Sequence, residues 1–130
     1  MKLEGNTFFI TGGVSGLGLS VAKLLVSKGA NVILADVNAI KGKKAAKQFG
    51  NNALFVKCDV TKEKSVEDSI QAGLDKFGSI QGCINCAGIG YPRRVLSKSG
   101  KVHPLAPFSK VININLIGTF NVLRLCAKAM

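Results

Sequence analysis

One stretch near the N-terminus limits what this chain can fold into more than any other: Thr7-Phe8-Phe9-Ile10-Thr11-Gly12-Gly13-Val14-Ser15-Gly16-Leu17-Gly18-Leu19-Ser20-Val21-Ala22-Lys23-Leu24-Leu25. Its first residues are β-branched or aromatic, glycines then break the pattern, and Leu17, Val21, Leu24 and Leu25 recur at helical spacing. That order predicts a strand, a tight turn and a helix. A helix entered through glycines turns bare backbone N–H groups, and the positive end of its dipole, towards the turn, where a phosphate is favoured. Gly12 is free to take a positive φ, Gly16 has no Cβ to obstruct a pyrophosphate, and Gly18 lets the helix lie close to the strand.

The following residues supply the context that a glycine turn needs. Val32-Ile33-Leu34-Ala35-Asp36 reads as a second strand, and its terminal acid stands eighteen residues beyond Gly18. A ribose-binding acid belongs roughly 20 residues on. An acid there accepts hydrogen bonds from both hydroxyls of an adenosine ribose and repels a 2′-phosphate, which favours NAD over NADP. Val14, Ser15 and Val37 offer no cation to a 2′-phosphate, although Lys41, Lys43 and Lys44 stand nearby. The competing role for Asp36 is a turn or N-cap acid.

Ala39 to Phe49 then reads as a helix stopped by Gly50, and Ala53 to Cys58 as a third strand. Asp59 is placed to make a turn and Thr61 to cap the next helix, which spaces Val66, Ile70 and Leu74 at four-residue intervals over about Lys62 to Phe77. Ile80 to Cys86 reads as a fourth strand. Strands alternating with helices predict an α/β fold, a Rossmann-type doubly wound parallel sheet with strand order 3-2-1-4. Ligands of such sheets sit outside the carboxyl ends of the strands, so Ala87-Gly88 permits close approach of a nicotinamide ribose.

With 130 residues, 47% of them hydrophobic, and a mean hydropathy of +0.28, the chain suits one globular domain. Its net charge of +11 admits nucleic acid and other polyanions as partners. The lysines scatter over helix and loop positions with little aromatic interleaving, so nucleic acid is not favoured and solvated faces are expected. Met1 to Asn6 lacks an apolar signal core, so export is not expected and an intracellular location is. Val111 to Cys126 is apolar but interrupted by Asn113, Asn115, Asn121 and Arg124, and is expected to be a buried helix, not a membrane span.

Phe108, Val111, Ile112, Leu116, Phe120, Leu123 and Ala127 can share one face of a long helix from Phe108 to Met130. Asn115 interrupts that run, and an amide in mid-helix often marks a bend. Cys83 and Cys86, three apart on a strand, face opposite sides, so no metal site is expected there. Ile89 to Pro107 reads as a long basic loop, in which His103 is expected to be a turn residue.

Thr11-Gly12-x-x-x-Gly16-x-Gly18, Asp59-Val60, Asn85-Cys86-Ala87-Gly88 and Asn115-Leu116-Ile117-Gly118-Thr119-Phe120 follow in the order, and at the distances, that mark the short-chain dehydrogenase/reductase family. The chain resembles that family over its whole length, corresponding to the N-terminal half of members that oxidise 3-hydroxyacyl-CoA or hydroxysteroid substrates. The resemblance implies that NAD contacts fall on Gly12, Ser15, Gly16, Leu17, Gly18, Asp36, Val37, Asp59, Val60, Cys86, Ala87 and Gly88, with Asp59 and Val60 beside the adenine. It implies further that Asn115 holds a water in the proton relay to a catalytic lysine. Where the family usually has a second Asn, this chain has Cys86.

The family's Tyr-x-x-x-Lys pair and its serine are missing: the single tyrosine, Tyr91, is followed four residues later by Val95. The helical pattern also runs to Met130 without a stop signal, so residues 1–130 are expected to form one such domain, incomplete at its C-terminus. By resemblance the full-length relative takes NAD(H) and a small apolar or acyl-CoA substrate and forms a homo-oligomer. The alternative is a non-catalytic cofactor- or polyanion-binding module acting through partners.

Overall fold

The computed structural model describes residues 2–130. Four strands, β1 (Thr7–Thr11), β2 (Asn31–Asp36), β3 (Ala53–Lys57) and β4 (Gly82–Asn85), form one parallel sheet in the order β3-β2-β1-β4. Helices α1 (Gly16–Ser27), α2 (Ala39–Phe49) and α3 (Glu63–Phe77) make the crossovers. After a long loop, α4 (Leu105–Ile112) runs through a π-helical stretch (Asn113–Gly118) into α5 (Thr119–Ala129). This is the doubly wound Rossmann-like α/β fold that the sequence predicts.

Alternation along the strands produces two apolar layers, because successive side chains leave a strand on opposite faces. Phe8, Ile10, Val32 and Leu34 meet Ala22 and Leu25 of α1 and Ala45 of α2 on one face. Phe9, Ile33 and Ala35 meet Val66 and Ile70 of α3 and Val122 and Cys126 of α5 on the other. β1 and β2 are sealed on both faces, as central parallel strands are, while β4 pairs through one edge with β1.

Two helical faces differ from expectation. On α1 the buried residues are Gly18, Ala22 and Leu25, whereas Leu17 and Leu24 are exposed, because Gly18 and Ala22 are the residues small enough for the close approach to the sheet. The long C-terminal helix is not wholly buried: it lays Gly118, Asn121, Val122 and Cys126 on the core. Phe108, Ile112, Leu116, Phe120 and Leu123 do share a face, but that face is exposed. Among the described residues no helix is long and apolar enough to cross a membrane.

Thr61 does not cap α3. The helix starts one residue later, after Lys62, and Thr61 instead donates through both N and Oγ1 to Asp59 Oδ1, at 3.0 and 2.7 Å. The turn expected at Asp59 is therefore present and consumes the hydroxyl.

Candidate functional site

The parallel register brings Thr11, Ala35–Asp36 and Asn85 to one end of the sheet. There the glycine turn meets the end of β4. Gly12 has φ 63°, and a Cβ on it would stand 2.8 Å from Cys86 O and 2.9 Å from Ala87 N, so the two segments touch through bare backbone. A Cβ on Gly18 would collide with the Gly12 carbonyl oxygen, which is how α1 sits directly on the turn. Gly16, with φ 50°, has open space where its side chain would be, at the first turn of α1.

A cleft of about 410 Å³ opens over this end of the sheet. It is lined at one side by Gly12, Ser15, Gly16 and Leu17, at the far end by Asp36, Val37, Asp59 and Val60, and near β4 by Cys86, Ala87 and Gly88. Of the residues expected at a cofactor, Gly18 alone is outside it, buried behind the turn where it sets the seat of α1.

Asp36 is half-buried and accepts Asn38 N on Oδ1 at 2.9 Å. The cap of α2 is Asn38, whose own Oδ1 accepts Lys41 N, so Asp36 is a turn acid but not the N-cap. No hydrogen bond among the described residues uses its Oδ2. Asp59 is more fully engaged: besides the two bonds from Thr61, its backbone N donates to Ser65 Oγ at 3.0 Å.

Asn115 lies in the π-helical stretch, the irregularity that its sequence position suggested. Its side chain clamps the loop after β4, accepting Ile89 N and donating to Ile89 O, both at 2.9 Å. Its carbonyl accepts Thr119 Oγ1 at 2.7 Å. His103 stacks edge-on against Tyr91, its backbone N donates to Val95 O at 2.8 Å and its Nδ1 lies 2.8 Å from Pro104 O. It is therefore a loop residue beside the Leu96–Val102 bridge, not the turn residue expected, and lies away from the cleft.

Thr11 is the participant that sequence reasoning passed over. Its Oγ1 accepts both Cys86 N and Ala87 N at 3.1 Å, and so ties the end of β1 to the end of β4. The signal was present, since Thr11 opens the glycine motif, but its partners lie 75 and 76 residues away. Ala35, Cys58, Ile89 and Ile114 also line the cleft. Burial pushes the Cys58 thiol up, against hydrogen bonds with Ser69 and Ser65, so it is a neutral wall and not a nucleophile.

The remaining thiols part company. Cys86 faces the cleft, while Cys83 meets Cys126 in the core, a contact that holds Cys83 below the usual thiol range and pushes Cys126 up. The four cysteines of the described residues are free thiols.

A glycine-cradled helix start, an acid at the end of the second strand and a crevice between β1 and β4 define a dinucleotide-binding class of α/β protein. Within that class the chain belongs to the short-chain dehydrogenase family, whose model matches residues 6–130. It is 46% identical to rat 3-hydroxyacyl-CoA dehydrogenase type-2 and 43% identical to the human protein of that name, in each case over 99% of this chain and 50% of the relative.

Among solved structures it is similar to 3-hydroxyacyl-CoA dehydrogenase type-2 from Mycobacterium avium, with TM-score 0.88 and 35% identity, over 96% of this chain and 49% of that one. It is also similar to a 3-ketoacyl-(acyl-carrier-protein) reductase from Brucella melitensis complexed with NADH, with TM-score 0.87 and 31% identity, over 98% and 51%. The chain therefore spans about half the length of the relatives it matches.

Proposed function

We propose that this chain binds NAD(H) and is the cofactor half of a dehydrogenase that interconverts a secondary alcohol and a ketone, on a 3-hydroxyacyl-CoA, steroid or similar apolar substrate. The observation that carries this reading is one continuous cleft running from the open backbone at Gly16 to the acid at Asp36. The residues fit the group. N–H groups at the start of α1 would hold the pyrophosphate, Asp36 the adenosine ribose, Asp59 and Val60 the adenine, and Cys86 to Gly88 the nicotinamide ribose.

When bound, the nicotinamide supplies a hydride acceptor or donor. The chain's own part is to orient that ring and exclude water from beneath it. Asn115 fixes the loop at Ile89 and, in the relay role that the family resemblance gives it, would hold a water in the proton relay. Residues 1–130 contain no Tyr-x-x-x-Lys pair to take the substrate's hydroxyl proton. We expect this chain alone to bind cofactor weakly and to turn over no substrate. The homo-oligomeric state and the mitochondrial or cytoplasmic setting of the full-length relative belong to the same proposal.

Titration of purified residues 1–130 with NADH and NADPH, followed by nucleotide fluorescence, tests this. NADH should bind at least about tenfold tighter, equivalent to about 1.4 kcal/mol. Asp36→Ala should narrow that ratio, since it removes both the ribose acceptor and the charge that repels a 2′-phosphate. Equal affinities for the two nucleotides in the unsubstituted chain would defeat the NAD assignment, and robust NADH-dependent ketone reduction would defeat the inactive half-enzyme.

A second reading, polyanion binding, is favoured by one observation. The loop after β4 pinches into a hairpin through a Leu96–Val102 bridge, and a hollow of about 460 Å³ is lined there by Arg93, Arg94, Lys98, Lys101 and His103 with no carboxylate. The ion pairs of the described residues, Lys64–Asp68 and Arg124–Glu63, use none of these cations. An RNA or DNA shift that weakens steeply with added salt would support it, and no shift at low salt would eliminate it.

A further inference from the structure

Asn121 lies on the buried side of α5, and none of the contacts so far assigned to a nucleotide involves it. It is 7% exposed, and a buried amide must spend its hydrogen bonds inside the protein. Nδ2 donates to Val60 O at 2.9 Å, and Oδ1 accepts Arg124 Nη2 at 2.8 Å. Arg124 in turn pairs with Glu63, in the first turn of α3, at 2.8 Å. A guanidinium only donates, so Arg124 dictates which end of the amide it meets and leaves the NH₂ to the Val60 carbonyl.

This chain of contacts ends on a residue that walls the cleft. Val60 is gripped from the same side a second time, because a Cβ on Gly118 would come within 2.6 Å of Val60 Cγ2. The neighbouring groups of the segment are tied locally, Asp59 to Thr61 and Ser65. The Val60 carbonyl is fixed from another element, by Asn121.

We infer that Asn121, oriented by Arg124, is a positioning residue for the adenine end of the cleft: it sets the plane of the Val60–Thr61 peptide and with it the placement of Asp59 and Val60. The inference rests on the dinucleotide reading of the cleft.

Asn121→Asp is the informative substitution. It is nearly isosteric and still accepts from Arg124, but it turns an oxygen on the Val60 carbonyl. Arg124→Met, at a more exposed position, releases the amide to rotate and gives a second variant should the first fail to fold. Two readouts on this chain separate positioning from general damage. Without ligand, amide hydrogen exchange at Thr61 should quicken about tenfold in Asn121→Asp, and less in Arg124→Met, with β1 and β2 amides unchanged.

With ligand, the AMP dissociation constant should rise about tenfold while that of nicotinamide mononucleotide holds. Unchanged exchange at Thr61 in both variants, or equal losses for both nucleotides, would overturn the inference. Should the unsubstituted chain bind neither AMP nor NAD, the dinucleotide reading falls by itself, and the exchange result alone decides whether Asn121 sets this peptide.

Discussion

The carbonyl of Gly12 occupies the space that a side chain on Gly18 would need, whereas the corresponding space at Gly16 is open. The two glycines of one motif thus answer to different forces, packing at Gly18 and backbone conformation at Gly16. Gly18→Ala should lower stability by about 3 kcal/mol through overpacking, read by urea denaturation. Gly16→Ala carries no such collision, so its cost should come from its positive φ and be smaller, about 1 kcal/mol. Equal costs would show that the backbone at Gly12 yields to a methyl group. At this scale the sequence was legible wherever a residue's reason was local. Gly12 and Gly16 announced a turn, and Asp36 announced a strand end. Thr11 was not legible as a tie, because the partners of its hydroxyl, at the end of β4 and just after it, arrive through successive parallel crossovers that no short window records.

The C-terminal helix shows how an element can be recognised and yet be placed the wrong way round. Periodicity grouped Phe108, Ile112, Leu116, Phe120 and Leu123 correctly on one face, but the face that reaches the sheet is the more modest one bearing Gly118, Val122 and Cys126. Hydrophobicity reports that a surface avoids water without saying what covers it. Gly118 settles the matter sterically, since it admits Val60 where a larger residue would hold the helix off. With Leu116 at 64% and Phe120 at 62% exposure, the uncovered face is a driving force for association. Sedimentation velocity should show concentration-dependent self-association of residues 1–130, reduced by Phe120→Lys with Leu123→Lys at little cost in stability, within about 0.5 kcal/mol per site. A monomer at all concentrations, with or without the substitutions, would remove that role from the face.

For the whole molecule, the architecture was readable because every level agreed. Strands with apolar residues on both faces, amphipathic helices between them and glycines at the junctions admit few arrangements besides a parallel, doubly wound sheet. The candidate cleft inherits that legibility, since such a sheet places all its strand ends on one side. What escaped was the supporting layer, the two hydrogen bonds of Asn115 to Ile89 and the one of Asn121 to Val60, made between segments 26 and 61 residues apart.

The docking of β4 on β1 has a consequence for how such a chain is made. Nearly every wall of the cleft is contributed by residues 12–89, with Ile114 the single later addition. A polypeptide leaving the ribosome N-terminus first would thus expose most walls of the cleft once the fourth strand emerges, and would fix Ile89 and Val60 only when Asn115 and Asn121 dock behind them. A dinucleotide that binds the finished cleft would then lock that late docking in place by mass action.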